Sequence, residues 1–495
     1  MASFPSAPGG TRAPGGPAAL DRYFSITARG STWQREVRGG LATFFTMAYI
    51  VVLNPLILGT VADADGSLIG GAGDIGSATS MVAAATALVA GIATLLMGIV
   101  GRYPFALATG LGLNAFVAFS VASDMSWADA MGLVVIEGII ITLLVLTGFR
   151  TAVFHAIPAQ LKTAIGVGIG LFIALIGFVD AGFIRGQASS PPLQLGIGGN
   201  LQGWPTAVFV IGLLLTFVLV ARRVKGAILL GIVVTTVLAI LVEAVGGLGA
   251  RDPEANPTGW SLVVPEWPGD IAGLPDLGLL GDFTLLGSFD RIGVVAAVLL
   301  VFTLMLADFF DTMGTVVGVG AEGDLLDEKG DLPGLERVLL VDSIAAVGGG
   351  AASTSSATTY VESAAGVGEG ARTGLASVVT GVLFLLAMFF TPLVQVVPFE
   401  AATPALVVVG FLMLTQIKAI DFSDYSIGIP AFLTISVMPF TYSISNGIGA
   451  GFVSYVVIKL VSGRARDVHP LLWVVSALFV VYFAIVPVEE LLGVR

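Results

Sequence analysis

Arg291-Ile-Gly-Val-Val-Ala-Ala-Val-Leu-Leu-Val-Phe-Thr-Leu-Met-Leu-Ala-Asp308-Phe-Phe-Asp311-Thr312-Met-Gly314-Thr315-Val-Val-Gly-Val319 is a membrane-length apolar run with two acids inside it. A stretch of about 18 or more apolar residues reads as a transmembrane helix. At about 100° per residue, Asp308, Asp311, Thr312 and Thr315 fall within an arc of about 100°. Each Asp at a helix centre costs about 2.5–3.5 kcal/mol on insertion scales. Two on one face are too costly toward lipid, so that face points into protein or a watery cavity. The plainer alternative is a pair of carboxylates that only ties helices together.

The rest of the chain repeats the apolar pattern. Of 495 residues, 56% are hydrophobic and 11% are charged, whereas a soluble protein is about 25% charged. Mean hydropathy is +0.97. Length alone suggests roughly three soluble domains, but this composition overrides that and gives an all-α polytopic membrane protein. The alternating strands of about 10 residues that a transmembrane barrel needs are not seen. Glycine, at 65 residues, suits close helix packing. With no cysteine, disulfides, thiolate metal sites and Cys nucleophiles are excluded. His155 and His469, the two histidines, lie in short polar breaks. A His proton relay or zinc site is therefore not expected, and neither a metal nor a cofactor is implied. The net charge of −12 argues against nucleic acid as a partner.

Apolar segments lie at about 40–59, 79–100, 104–122, 131–149, 160–179, 205–221, 226–246, 291–319, 337–350, 354–370, 373–395, 401–416, 427–444 and 446–462. A fifteenth stretch, 470–488, either spans or lies at the interface. The segments 104–122 and 354–370 are weak. The first holds Pro104, Gly110 and Gly112; the second opens with Ser353-Thr-Ser-Ser-Ala-Thr-Thr359 and carries Glu362. Residues 1–38 are Pro/Gly/Ala-rich and then basic, without a signal-peptide core, and read as a cytoplasmic tail. With that tail inside, eighteen Lys and Arg residues fall in inner segments, and only Arg185, Arg251 and Arg291 fall in outer loops. The acidic, Pro-rich segment 247–290 reads as an extracellular loop.

The halves overlay at an offset of 240, where Pro158, Thr163 and Gly170 recur as Pro398, Thr403 and Gly410. The third segment of each half is the polar-broken one. Seven segments per half is an odd number, so the second half enters from the opposite side. Such inverted repeats place binding sites at the midplane, on broken helices.

Other polar groups cluster around those breaks. Glu362 precedes Ser363-Ala-Ala-Gly366, where a helix can restart. A carboxylate in that first turn is stabilised by the helix dipole and free N–H groups, and it can accept two hydrogen bonds from a planar, N–H-rich ligand. A simple capping role is the alternative. Asn114, in Gly110-Leu-Gly112-Leu-Asn114-Ala-Phe116, is its counterpart in the first half. Asp342 is a further buried-looking acid, able to orient the site or carry a proton. Glu137 and Glu243 are weaker candidates, and Glu243, near a span end, reads as solvated. Gly318-Val-Gly320-Ala-Glu-Gly323 fits a dinucleotide pattern, but no strand precedes it. No Lys follows a Gly, so there is no Walker A loop. This favours gradient-driven transport.

Several runs carry a family resemblance: Gly40-Leu-Ala-Thr-Phe-Phe-Thr-Met-Ala-Tyr-Ile-Val-Val-Leu-Asn54-Pro55, Gly110-Leu-Gly-Leu-Asn-Ala-Phe116, Asp308-Phe-Phe-Asp-Thr-Met-Gly-Thr315, Thr358-Thr-Tyr-Val-Glu-Ser-Ala-Ala-Gly366, Arg372-Thr-Gly-Leu375 and Pro439-Phe-Thr-Tyr-Ser-Ile-Ser-Asn-Gly-Ile448. Together they resemble the AzgA-like adenine/guanine/hypoxanthine permeases of the nucleobase–ascorbate transporter superfamily, over about residues 22–488. The resemblance implies about fourteen transmembrane segments as two inverted seven-span repeats, with short extended pieces in spans three and ten. It implies core-domain parts at 39–150 and 291–395, gate-domain parts at 151–246 and 396–462, and a C-terminal segment at 463–495. It places substrate contacts at Asn114, Asp308 and Glu362 and adds Asp311 as a functional acid; Thr359 and Ser363, near Glu362 in the sequence, are further candidate substrate contacts.

The expected function is proton-coupled import of purine bases through the cell membrane by alternating access. Phe116, Phe309 or Phe310 would cover a ring face. Without a histidine in the spans, the proton rides on a carboxylate; Asp308, Asp311, Glu362 and Asp342 are the candidates. The partners are then a small purine base, H+ and the lipid bilayer, with a homodimer one possible assembly. The alternatives are a uracil or xanthine permease of the same fold, an anion carrier of the sulfate-transporter type, a channel, or a membrane-embedded hydrolase. An acid-lined pocket disfavours the anion carrier.

Overall fold

The computed structural model describes residues 18–147, 157–186, 192–252, 254–327 and 332–491, and is mostly helical. The first half comprises α1 (Ala18–Phe24), α2 (Trp33–Met47), α3 (Ile50–Leu58), α4 (Ile75–Leu96), β1 (Leu107–Thr109), α5 (Leu111–Phe116) and α6 (Trp127–Thr147). It continues with α7 (Ala159–Asp180), the hairpin β2 (Ile184–Gly186) and β3 (Leu193–Leu195), α8 (Trp204–Ala221) and α9 (Ala227–Gly246). The second half comprises α10 (Gly287–Glu322), α11 (Leu335–Ala351), β4 (Ala357–Thr359), α12 (Ser363–Gly368) and α13 (Gly374–Ala387). It ends with α14 (Phe399–Leu414), α15 (Tyr425–Thr441), α16 (Ile444–Val461) and α17 (Pro470–Leu491).

Among the described residues, ten helical stretches are long and apolar enough to cross a membrane, so this is a multi-pass membrane protein. Of the other five sequence segments, four are shorter for visible reasons. Segments 104–122 and 354–370 are each divided between a strand and a short helix. Segment 337–350 lies in the 17-residue α11, and 427–444 in the 17-residue α15, which carries Pro430 and Pro439. Segment 470–488 lies in the 22-residue α17, Pro470–Leu491.

Local chemistry sets many of the helix starts. Asp74 caps α4 by accepting from the Ser77 N–H at 2.9 Å, and Thr373 caps α13 in the same manner. Pro158 and Pro398, the repeat-matched prolines, each sit at the cap position with extended ψ, and a helix follows both. The sequence reading leaves residues 18–38 as tail, but α1 and the turn after it lie against the helical body. Tyr23 donates to the Ile99 carbonyl at 3.0 Å, and Arg29 donates to the carbonyls of Arg102 and Arg372 at 2.8 and 3.1 Å.

The helices pack as two groups. In one, α13 lies on α2 and α4, while α6 lies on α10 and α11. In the other, α14 lies on α7 and α8, and α15 on α7 and α16. Between the halves of the first group, β1 and β4 pair antiparallel, with Ala108 opposite Thr358. Extended backbone inside a membrane protein must find its partners within the protein, and here it does. Thr94 Oγ1 donates to the Leu107 carbonyl and accepts from its N–H. Ser377 donates to the carbonyls of Tyr103 and Phe105 at 2.8 Å each.

The matched glycines of the repeat meet at the crossing of α7 and α14. A Cβ on Gly170 would lie 2.9 Å from the Gly410 carbonyl oxygen, and one on Gly410 would strike the Gly170 carbonyl. Neither backbone can yield without moving a helix, and overpacking of this kind costs about 1–3 kcal/mol or more. Gly410→Val is expected to lower both the folded yield and the melting temperature in detergent. Gly269→Ala, where a Cβ meets nothing within 4 Å, should leave both unchanged.

Candidate functional site

The strand pair and the two short helices that follow it put the conspicuous side chains of both halves on one region, against α10. Glu362 stands at the N-terminal end of α12. The Tyr49 hydroxyl, at the break between α2 and α3, donates to Glu362 Oε1. Asp311 lies one helical turn along α10 from Asp308 and accepts from the Thr358 hydroxyl of β4 at 3.4 Å. Asp342 on α11 accepts from Thr312 and Thr359, at 2.7 and 2.8 Å, so it links α10 to β4. Ser363 accepts from the Ala106 N–H at 2.9 Å and holds the start of α12 against the approach to β1. The hydroxyls of Thr359 and Ser363 therefore have structural partners.

Asn114 is fully buried on α5; its amide donates to Thr109 at 3.3 Å, and its Oδ1 has no donor. Asp308 is also fully buried, and neither carboxylate oxygen has a donor. Phe116 and Phe309 are buried, and the Phe310 side chain lies outside the described residues. The hydroxyl of Tyr360 donates to the Thr109 carbonyl at 2.6 Å, closing the strand pair from the other side.

Accessibility along α10 is one-sided. No described side chain from Leu299 to Phe309 is exposed, whereas Asp311, Gly314, Gly318, Ala321 and Glu322 are. A lipid-facing stripe would be large and apolar; one built of Asp, Gly and Ala suits water. This accessible stripe runs from Asp311 to the C-terminal end of α10. Val361, next to Glu362, is 60% exposed, and Glu362 itself is half-buried. Asp311 is thus accessible and Glu362 partly so, while Asp308, one turn away, is fully buried.

The site is rich in acceptors. Among the described residues, the hydrogen-bond partners of Glu362, Asp311 and Asp342 include the hydroxyls of Tyr49, Thr358, Thr312 and Thr359, and no cation stands among these. No group of three or more metal-binding side chains occurs among the described residues. Such a lining suits a neutral ligand that brings its own N–H groups, or a proton.

Three residues at this site were not singled out as contacts by sequence reasoning. Tyr49 sits unremarked inside an apolar motif, and Thr358 inside a Ser/Thr run. Glu137, on α6, lies within hydrogen-bonding reach of Asp308 and accepts from Ser356 at 3.3 Å. Its signal was an acid in mid-span, read as weak. Glu243 also differs from expectation: it is held by loop groups, accepting from the Leu248 N–H and the Trp260 indole at 2.9 and 2.8 Å.

The pattern of the Permease family (Xan_ur_permease) matches residues 34–450. The guanine/hypoxanthine permease PbuG of Bacillus subtilis (strain 168) is 37% identical over 471 residues, covering 94% of this chain and 99% of the relative. The adenine permease AdeP of Escherichia coli (strain K12) is 36% identical over 469 residues, covering 94% and 96%. Among solved structures, the transmembrane domain of the cyanobacterium bicarbonate transporter BicA superposes with a TM-score of 0.56. It covers 90% of this chain and 97% of that one at 14% identity, a likeness of fold alone.

Proposed function

Because the chain belongs to the Permease family, and is thus a transporter and not an enzyme, we propose that it imports purine nucleobases by proton symport. The observation that carries this reading is the acceptor excess. Asn114 Oδ1 and both oxygens of Asp308 lack donors, and Glu362 and Asp311 present accessible or half-buried carboxylates nearby. Adenine, guanine and hypoxanthine are neutral, planar and carry N–H groups on both rings. Glu362 accepts N–H groups on one edge of the base, Asp308 faces another edge, and Asn114 completes the pocket. Phe116 and Phe309 supply ring-face packing. Thr359 and Ser363 serve the site by holding Asp342 and α12 in place. The curated names of PbuG and AdeP support the substrate class.

The remaining architecture is proposed on the same basis. Fourteen spans form two inverted repeats, supported by the antiparallel β1–β4 pair and the facing Gly170 and Gly410. The two packing groups act as core (39–150 and 291–395) and gate (151–246 and 396–462). The N-terminus and most basic residues lie in the cytoplasm, at the plasma (inner) membrane. The accessible stripe from Asp311 then faces inward, and movement of core against gate exposes the site alternately to each side.

A competition panel tests the substrate class. Unlabelled adenine, guanine or hypoxanthine is expected to suppress radiolabelled hypoxanthine uptake, with uracil and xanthine much weaker. Stronger suppression by uracil or xanthine than by adenine or guanine would favour the same-fold alternative.

A further inference from the structure

Glu137 has no place in the binding reading, yet it is the side chain closest in chemistry to Asp308. It lies mid-way along α6, fully buried. Helix α6 packs on α10, which carries Asp308, and crosses α11 closely. A Cβ on Gly138 would lie 2.6 Å from the Val347 N of α11, and one on Gly350 would lie 2.8 Å from the Val135 N of α6. Glu137 Oε2 accepts from Ser356, while Oε1 and both Asp308 oxygens have no donor. The titratable groups facing the pair are Asp342 from α11 and Asp311 from the next turn of α10, both acids.

Two carboxylates in contact within a sealed pocket do not both ionise; one proton shared between them supplies the missing donor. We propose that Glu137 is a positioning residue for coupling, which holds the transported proton together with Asp308 and never touches the purine. The proton is taken up as an O–H bridging the two carboxyls, and it leaves through Asp311, the accessible acid one turn along α10. This rests on the reading of the protein as a proton symporter.

Glu137→Gln keeps the shape and replaces the shared proton with a permanent amide donor. In proteoliposomes, its gradient-driven hypoxanthine accumulation is expected to fall at least about tenfold, the scale of a typical coupling loss. Purine exchange between equal concentrations should persist, and the dependence of uptake on external pH should flatten. Glu137→Asp, which remains titratable, is expected to restore part of the accumulation with a displaced pH profile. Two results overturn the proposal while leaving symport standing. One is Glu137→Gln with wild-type accumulation and pH profile. The other is Glu137→Gln and Glu137→Asp equally devoid of exchange. Wild-type accumulation that ignores a protonophore overturns the symport reading, and this proposal with it.

Discussion

Glu362→Gln is expected to abolish purine uptake in a protein that still reaches the membrane. Tyr49 already donates to Oε1, and Gln retains an oxygen for that bond, so the local fold has no cause to fail. What changes is the edge offered to the base. An ionised carboxylate accepts two N–H bonds, whereas an amide accepts on one atom and confronts the ligand with a donor on the other. Hydrogen bonds to a charged group contribute about 1.5–3 kcal/mol each. Losing one, with a donor left facing a donor, therefore costs at least about 1.5–3 kcal/mol, or about ten- to a hundredfold in affinity at 1.4 kcal/mol per tenfold. Initial rates of radiolabelled guanine or hypoxanthine uptake in cells lacking their own purine carriers, normalised to surface amount, measure this. Wild-type rates in the variant would remove Glu362 from the site.

Asp308→Asn should be as severe, for a different reason. Asp308 is sealed, and neither of its oxygens has a donor. An amide at this position donates to Glu137 without needing a proton, so the variant is expected to match or exceed the wild type in thermal stability. Uptake should nevertheless fall about a hundredfold, because both a ligand contact and a titratable group are gone. Exchange should fall with accumulation, which separates this variant from Glu137→Gln. A variant that is stable and transports normally would show that Asp308 only ties helices together.

Much of this was legible in the chain itself, and the remainder was hidden for physical reasons. Apolar length marked the spans, and Pro104, Gly110 and the Ser353–Thr359 run marked the two breaks that form β1 and β4. The offset that matched Gly170 with Gly410 picked out two residues that touch. What periodicity did not show was depth. Asp308 and Asp311 are about 60° apart on one helix face, but packing buries the first and leaves the second accessible. The partner of Glu362 was equally invisible, because Tyr49 is 313 positions away. Thr359 and Ser363 looked like ligand contacts from their place beside Glu362. Only the fold shows that their hydroxyls have structural partners, in Asp342 and the Ala106 N–H.

The most direct test of a carboxylate-based purine symporter uses purified protein in sealed proteoliposomes with an acidic exterior. Radiolabelled hypoxanthine is predicted to accumulate above its external concentration and to run out when a protonophore is added, with no response to a sodium gradient. Uptake that never exceeds equilibrium, or that follows sodium and ignores the protonophore, would contradict the account.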